Sequence, residues 1–590
     1  MLFVERRKPA FTRELLSRVG LAWAMIVGLL LVTNLSAMRA LQFPDPDDMM
    51  RLLQVRDVLS GQSWFDITQH RVDAPHGGVP MHWSRLVDLP LMGLIALLTP
   101  LLGSDAAEIT TAIIIPLLTL GIALLLAGRI AWRLLSAEAT MFACLAMALS
   151  VPLVSQMRPL RIDHHGWQIV LALAAVNGLM VRTPRVGSWI TGASLAAWLS
   201  ISIEGLPLAA AIVGLTALRW LRDPRQKQWF VETMQALAIT SGLLFAATRG
   251  FGDLAQHCDA ISPVHLTIFV AGAISATILA RFEGLPLAGV IAGMGLIGAG
   301  ALVLLHGAAP QCLGGGFAEL DPLVGYFWYD GVGEGLPVWK QDAGLALQIV
   351  IPPLIAIWAA ARLAANATGW LLIWWTEYAL LLGASLFVAL LVARAGAVAG
   401  ALAAVPLGWQ LAEWFRAARH LQAPAKRFAA MAGISLALLP ALPLTLFTMA
   451  MPAEASGRSP MLRASSCDIP QTAATLRKLP RGEILAPLDI GPRLLYETEH
   501  SVIATGHHRG NRGMKWVIET FTGPAEAAHQ RLVERKTSYL ALCPDLVEPA
   551  RYAQAAPDGF MAALLDGEEP DWLEPIPVAG DSNFRIWKIR

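Results

Sequence analysis

Long apolar runs recur along almost the whole chain, and they decide what it can fold into. Runs such as "LAWAMIVGLLLVTNL" (21–35) and "ISLALLPALPLTLFTMAM" (434–451) are typical. A helix of roughly 20 apolar residues covers the hydrocarbon core of a bilayer. Inside that core every backbone polar group must be satisfied within the chain, which favours helices. Of 590 residues, 55% are hydrophobic and only 15% charged. The fold class is therefore a polytopic α-helical membrane protein. A net charge of +1 carries no footprint of a nucleic-acid partner. No small-residue cleavage site follows the first run, so it reads as a retained helix rather than a signal peptide.

The basic N-terminus "ERRKPAFTRELLSR" belongs in the cytoplasm by the positive-inside rule. A first helix over 20–38 then delivers residues 39–88 to the outer side. The stretch 89–102 is short for a span and suits a helix lying at the interface. Further spans follow at 108–128, 136–155, 167–181, 188–202, 205–219, 231–249, 264–281, 285–306, 343–361, 369–393, 396–415 and 428–450. The arginine-bearing ends "GRIAWR", "VRTPR", "RWLRDPRQK", "ARFEG", "AARLAAN" and "RAARHLQAPAKR" all fall on the cytoplasmic side in this threading. That gives about thirteen helices with the C-terminus outside. The weakest joint is "SIEGLP", where two short helices must turn.

The character changes near residue 451. Short β-rich runs ("EILAPL", "SVIAT", "SYLALC", "FRIWKIR") alternate with helical patterns to the end, which predicts a soluble α/β domain. Residues 1–450 form the transmembrane domain, with outer loops at 39–107, 156–166 and 307–342; residues 451–590 form the extracytoplasmic domain. Cys144 lies in a membrane helix, whereas Cys258, Cys312, Cys467 and Cys543 fall on the outer side. An oxidising compartment suggests the bridges Cys258–Cys312 and Cys467–Cys543, with four free thiols as the alternative.

Four outer segments carry the unusual polar residues: "DPDDMMRL" (45–52), "RPLRIDHHGWQ" (158–168), "ELDPLVGYFWYDGVGEGLPVW" (319–339) and "LAPLDIGPRLLYETEHSVIATGHHRGN" (485–511). Charged groups near hydrocarbon are expensive and mark function. Asp163 and His165, joined by a separate aspartate and a glutamate, suit a divalent cation, with Mn2+ or Mg2+ favoured and Zn2+ possible in vitro. Taken singly, each motif also fits an ordinary role. "DPDD" can be a helix start capped by Asp45 or Asp47, "DHH" an interfacial polar patch, and "GVGEG" a loop glutamate. Their coincidence on one face favours a site.

"DPDDMMRL" followed by "PHGGVPMHWSRLVD" closely resembles the first outer loop of oligosaccharyltransferase catalytic subunits, particularly the archaeal ones. "IDHHGWQ" resembles the archaeal form of the second acidic motif, and "GVGE" stands where the family carries its Ser-Val-Ser-Glu or Thr-Ile-x-Glu loop. The resemblance implies a GT-C glycosyltransferase with a polyprenyl-phosphate-linked sugar donor, and it covers most of the chain. It makes Asp45 a metal ligand that meets the acceptor nucleophile, Asp163 and His165 metal ligands, and Glu334 a ligand reaching metal and acceptor from a mobile loop. Arg394 in "VARAGAV" resembles the arginine that grips the lipid phosphate, a bidentate task suited to a guanidinium; an interfacial snorkelling arginine is the plain alternative. Asp47, Asp48, His82, Trp83, Arg161 and His164 are further substrate-binding candidates.

One departure stands out. The family reads its Asn-x-Ser/Thr acceptor with a W-W-D-Y-G motif; the matching stretch here is "APLDIG", which keeps Asp489 and Gly491 but not the tryptophans. The expected acceptor is therefore a glycan, a lipid-linked saccharide or an envelope polymer at the outer face of a cytoplasmic (inner) membrane. His507, His508 and Arg509 could line its pocket or form a surface turn. The expected reaction inverts the anomeric carbon in one displacement. The alternatives are a peptide N-oligosaccharyltransferase with a degenerate acceptor motif, a saccharide-lipid flippase, and a catalytically silent envelope scaffold.

Overall fold

A computed structural model describes residues 11–450, 467–578 and 583–590. The basic residues 5–10 and the domain boundary expected near 451 lie outside the described residues. Among those described, ten helices are long and apolar enough to cross a membrane. The protein is thus a multi-pass, mostly helical membrane protein with a small sheet. Several spans differ from the sequence reading. The stretch 89–102, expected at the interface, extends back to Arg85 and becomes an 18-residue helix, Arg85–Leu102, of spanning length. The expected span 136–155 is instead Ala137–Leu149 followed by a separate short turn Val151–Val154, because Pro152 restarts the helix. The last expected span is split into Pro424–Leu438 and Leu442–Ala450 around Pro440.

The chain divides into two compact units. The first comprises residues 1–42, 83–318 and 333–447; the second comprises 43–82, 319–332 and 448–590. The second unit thus draws residues 43–82 and 319–332 into the same body as the C-terminal chain.

In the first unit, the helix Gly396–Arg419 is the central post, with 89% of its apolar window buried. Its Gly408 lies so close to the helix Ala137–Leu149 that an added Cβ would stand 2.6 Å from the Ala139 carbonyl oxygen. Small residues at such crossings let membrane helices pack backbone to backbone. The same device joins His165–Leu179 to Pro184–Ile201. A Cβ on Gly178 would meet Thr191 Oγ1 at 2.5 Å.

The far end of His165–Leu179 is pinned by charge. Arg219 Nη2 donates to Leu179 O (3.1 Å) and to Glu377 Oε2 (2.7 Å), and Arg222 reaches Glu377 Oε1 at 3.1 Å. Arg219 also lies over the Trp229 ring, 4.2 Å from its centroid. A carboxylate and a guanidinium buried together satisfy each other's desolvation cost. A disulfide, Cys258–Cys312 (S–S 2.01 Å), ties two connecting segments of this unit.

The second unit holds a five-stranded sheet. Its strands are β1 (Glu483–Leu485), β2 (Ser501–Val502), β3 (Tyr539–Leu542), β4 (Leu573–Pro575) and β5 (Arg585–Ile589), in the order β2-β1-β3-β5-β4. The first three run parallel, and β5 is antiparallel to β3 and β4. Helices Asn511–Thr522, Ala525–Arg535 and Phe560–Asp566 cover a core of Leu485, Ile503, Leu540, Phe521 and Trp587. Residues 43–82 join by Val72 bridging Val502, and by Arg535, which clasps Asp73 (2.7 Å) and Glu483 (2.6 Å). A second disulfide links Cys467 to Cys543.

The buried Arg219–Glu377 pair yields a stability prediction. Glu377→Ala leaves a buried guanidinium uncompensated and should cost about 3–5 kcal/mol, read as a lower melting temperature of the detergent-purified protein. The double change Arg219→Met with Glu377→Leu should recover most of the loss. An unchanged melting temperature for Glu377→Ala would show that the pair does not secure the helix.

Candidate functional site

The polar cluster of the first unit is built on the segment that leads into the helix His165–Leu179. Leu160 adopts a left-handed conformation (φ 69°) while its N–H donates to Ala112 O at 3.0 Å. That conformation is costly for a bulky residue and is found where a site over-determines the backbone. It swings Arg161–His164 inward, and the helix His165–Leu179 starts immediately afterwards. Asp163 therefore stands at a helix N-terminus, where the macrodipole favours an anion.

Both imidazoles close on Asp163. His164 Nδ1 lies 2.5 Å from Oδ1, and His165 Nδ1 lies 2.7 Å from Oδ2. The two rings stack with centroids 4.2 Å apart. All three residues are buried. Burial alone would raise the Asp163 carboxyl. The charges and hydrogen bonds of His164 and His165 overcome it and hold the group well below the usual carboxylate range.

Four further charged groups belong to this cluster. Arg161 Nη2 stands 4.0 Å from Asp163 Oδ2 and 3.9 Å from Glu334 Oε2, while its Nε donates to Gln156 Oε1 at 3.2 Å. Glu334 comes from the short turn Gly333–Gly335 and is part-exposed. Its other oxygen, Oε1, is 3.7 Å from Arg394 Nη1. The two segments are joined by backbone as well, since Ala393 N donates to Leu336 O at 3.0 Å. Arg394 Nη1 also donates to Glu204 Oε1 at 2.9 Å.

The donors suit a divalent cation. Asp163, His164 and His165 each offer one ligand atom, and these lie within 4.8 Å of one another. His165 Nε2 is buried and has no hydrogen-bond partner among the described residues. An imidazole whose Nδ1 faces a carboxylate and whose Nε2 is left over is the usual form of a metal-ligating histidine. Mixed imidazole and carboxylate donors fit Mn2+, Mg2+ or Zn2+.

The other sequence candidates are described within their own units. In the second unit, Asp45 caps the helix Pro46–Leu59, accepting from Asp47 N at 3.0 Å. Asp48 is buried in the first turn. Asp47 Oδ1 lies 3.0 Å from Nε2 of the buried His507, whose Nδ1 is 2.8 Å from Thr505 Oγ1. His507 therefore supports the helix start instead of lining an open pocket. His82 and His508 pack ring to ring at 4.7 Å, and Arg509 donates to Met81 O at 3.0 Å. The Asp489 turn is fixed from behind: Glu548 accepts from Leu488 N (2.7 Å), Asp489 N (2.8 Å) and the Tyr552 hydroxyl. Burial first, and then the Asp489 charge, push the Glu548 carboxyl up to about 8. Trp83 is a buried core residue of the first unit.

The sequence reading missed Glu204. Its one signal was a lone carboxylate in "SIEGLP", between two apolar helices, where an unpaired charge is disfavoured.

No protein-family model and no curated protein matches the sequence. Solved structures do. The archaeal oligosaccharyltransferase of Archaeoglobus fulgidus, in complex with an inhibitory peptide and a dolichol-phosphate, superposes with TM-score 0.64 at 14% identity, over 95% of this chain and 72% of that one. The same enzyme tethered to an acceptor peptide containing the NVT sequon gives 0.63 at 13% identity, over 97% and 74%. Its complex with Zn and sulfate gives 0.56 at 13%, over 88% and 67%. At this identity the likeness concerns architecture: the chain has the fold of an archaeal oligosaccharyltransferase.

Proposed function

We propose that this protein is a metal-dependent membrane glycosyltransferase. It moves a sugar or oligosaccharide from a polyprenyl-(di)phosphate donor to an extracytoplasmic glycan, lipid-linked saccharide or envelope polymer. One observation carries the reading. A buried Asp163–His164–His165 triplet adjoins Glu334, with Arg161 and Arg394 on either side of that glutamate. The fold shared with a protein solved with dolichol-phosphate supports the donor class.

Asp163, His165 and Glu334 would hold the cation. The bound ion supplies Lewis-acid stabilisation of the departing phosphate. Arg394 binds and orients that phosphate through a planar, permanently charged fork. Arg161 keeps Glu334 and Asp163 from repelling each other before the ion arrives. Glu334 orients the acceptor against the anomeric carbon. A single displacement then inverts that carbon, with the bond to the phosphate oxygen breaking as the acceptor bond forms.

Loss of the tryptophans around Asp489 favours a non-peptide acceptor. In the structure that turn is stabilised by Glu548, so it is an ordered element with its own shape. A site built to hydrogen-bond one acceptor class rejects another by large factors. The acceptor-facing placement and the outer compartment belong to this proposal.

Three outcomes are expected. Asp163→Asn, His165→Ala and Glu334→Gln should each lower transfer by about 10²–10⁴-fold, with melting temperatures near that of the parent. Any one of them retaining full transfer would remove that residue from the assignment. Chelation should abolish transfer and Mn2+ or Mg2+ should restore it; transfer that persists in chelator would defeat the metal-dependent reading. Arg394→Lys should raise the donor KM about tenfold while leaving kcat nearer the parent value, because a point charge replaces a fork. Offering membranes a sequon peptide beside envelope glycans, with lipid-linked sugar, separates the acceptor classes; glycosylated peptide would establish the peptide reading.

A further inference from the structure

Glu204 is the one carboxylate of this cluster with no role in the proposed chemistry. It stands on the short turn Ile203–Gly205 that opens the helix Leu206–Arg222. Its turn is firmly placed. Gly205 abuts Trp198, where a Cβ would stand 2.5 Å from Nε1. That same Nε1 donates to Gln168 Oε1 at 2.9 Å, on the helix His165–Leu179. The turn is thereby keyed to the helix that carries His165.

From this position Glu204 Oε1 accepts from Arg394 Nη1 at 2.9 Å. The same nitrogen stands 3.7 Å from Glu334 Oε1. One guanidinium nitrogen thus lies between two carboxylates, hydrogen-bonded to the first and within ion-pair reach of the second. Arg394 is mostly covered, with side-chain exposure of 12%, against 36% for Glu204 and 34% for Glu334. Charge pairs in such surroundings are screened far less than pairs in open water.

We infer that Glu204 is a positioning residue: it takes the shorter contact with Arg394 and so keeps the Arg394–Glu334 ion pair loose, leaving Glu334 to the cation and Arg394 to the donor phosphate. This rests on the glycosyltransferase reading above. Without the Glu204 charge, Arg394 tightens its ion pair with Glu334. Glu334 is then engaged by an arginine when the cation arrives, and Arg394 is turned away from the phosphate. Both ligands bind less well, although Glu204 touches neither.

The rival account is a plain through-space field, and it predicts a different sign. Removing a negative charge near a phosphate site should tighten phosphate binding if only the field matters. Loss of positioning weakens it. The Glu204→Gln change, which keeps the side-chain shape, separates the two.

The experiment uses the full-length protein in detergent and two probes measured directly: Mn2+ by electron paramagnetic resonance titration, and a sugar-free polyprenyl monophosphate by native mass spectrometry. In Glu204→Gln, the dissociation constants for Mn2+ and for the lipid phosphate should both rise, each by about tenfold, as a charged partner is lost in a poorly screened site. Adding Arg394→Gln to Glu204→Gln should return the Mn2+ constant close to the parent value, because the competitor for Glu334 is gone, while lipid-phosphate binding stays weak. A folded Glu204→Gln protein with unchanged Mn2+ binding, or with tighter lipid-phosphate binding, overturns the inference and leaves the glycosyltransferase reading standing. A parent protein that binds neither probe overturns both.

Discussion

The structure depends on how ionised groups are kept within a chain that is otherwise built for lipid. An isolated charge at membrane depth is expensive, so each one must meet an opposite charge or a dipole that stays in place. The protein meets this demand twice, at the two ends of one helix. At the Leu179 end of His165–Leu179, Arg219 binds Leu179 O and Glu377 together, a closed arrangement whose purpose is to hold helices. At the His165 end, Asp163 is held by two imidazoles and the helix dipole, but His165 Nε2 is left without a partner among the described residues. One end is saturated and the other retains binding capacity. That difference separates a structural ion pair from a candidate site more clearly than burial does, since both are buried.

Packing then converts this local chemistry into geometry. Glycine-mediated approach at Gly178 and Gly408 fixes helix backbones at short range, so the turns between the helices have little freedom. Leu160 adopts a left-handed conformation just before Arg161–His165, a strain of about 1–3 kcal/mol for such a residue, while its N–H donates to Ala112 O.

Much of this was legible in the sequence, and the reasons are physical. Apolar runs reported the membrane helices because lipid permits little else, and four β-rich runs near the C-terminus each became a strand of the sheet. "DHH" and "GVGEG" stood out because charged residues beside apolar helices are rare. Span limits were less legible: Pro152 and Pro440 interrupt helices whose composition alone reads as continuous. The placement of His507 was less legible for a different cause. A histidine next to another histidine and an arginine looks like a polar surface, and only the fold shows that it is buried against Asp47 and Thr505. Glu204 escaped notice because its partner, Arg394, lies 190 positions away in the chain.

The composition of the cluster also bears on the cation proposed for it. Asp163, Glu334 and Glu204 bring three carboxylates, and Arg161 and Arg394 bring two guanidiniums. With neutral imidazoles these five groups carry an excess of negative charge, and an arriving phosphate would add to it in a poorly solvated place. Protonating His164 and His165 relieves the excess, yet it consumes the nitrogen lone pairs that would otherwise act as ligands. A divalent cation relieves it without that loss and leaves both arginines in place. Charge balance and ligand chemistry, argued separately, thus arrive at the same occupant for the space beside His165.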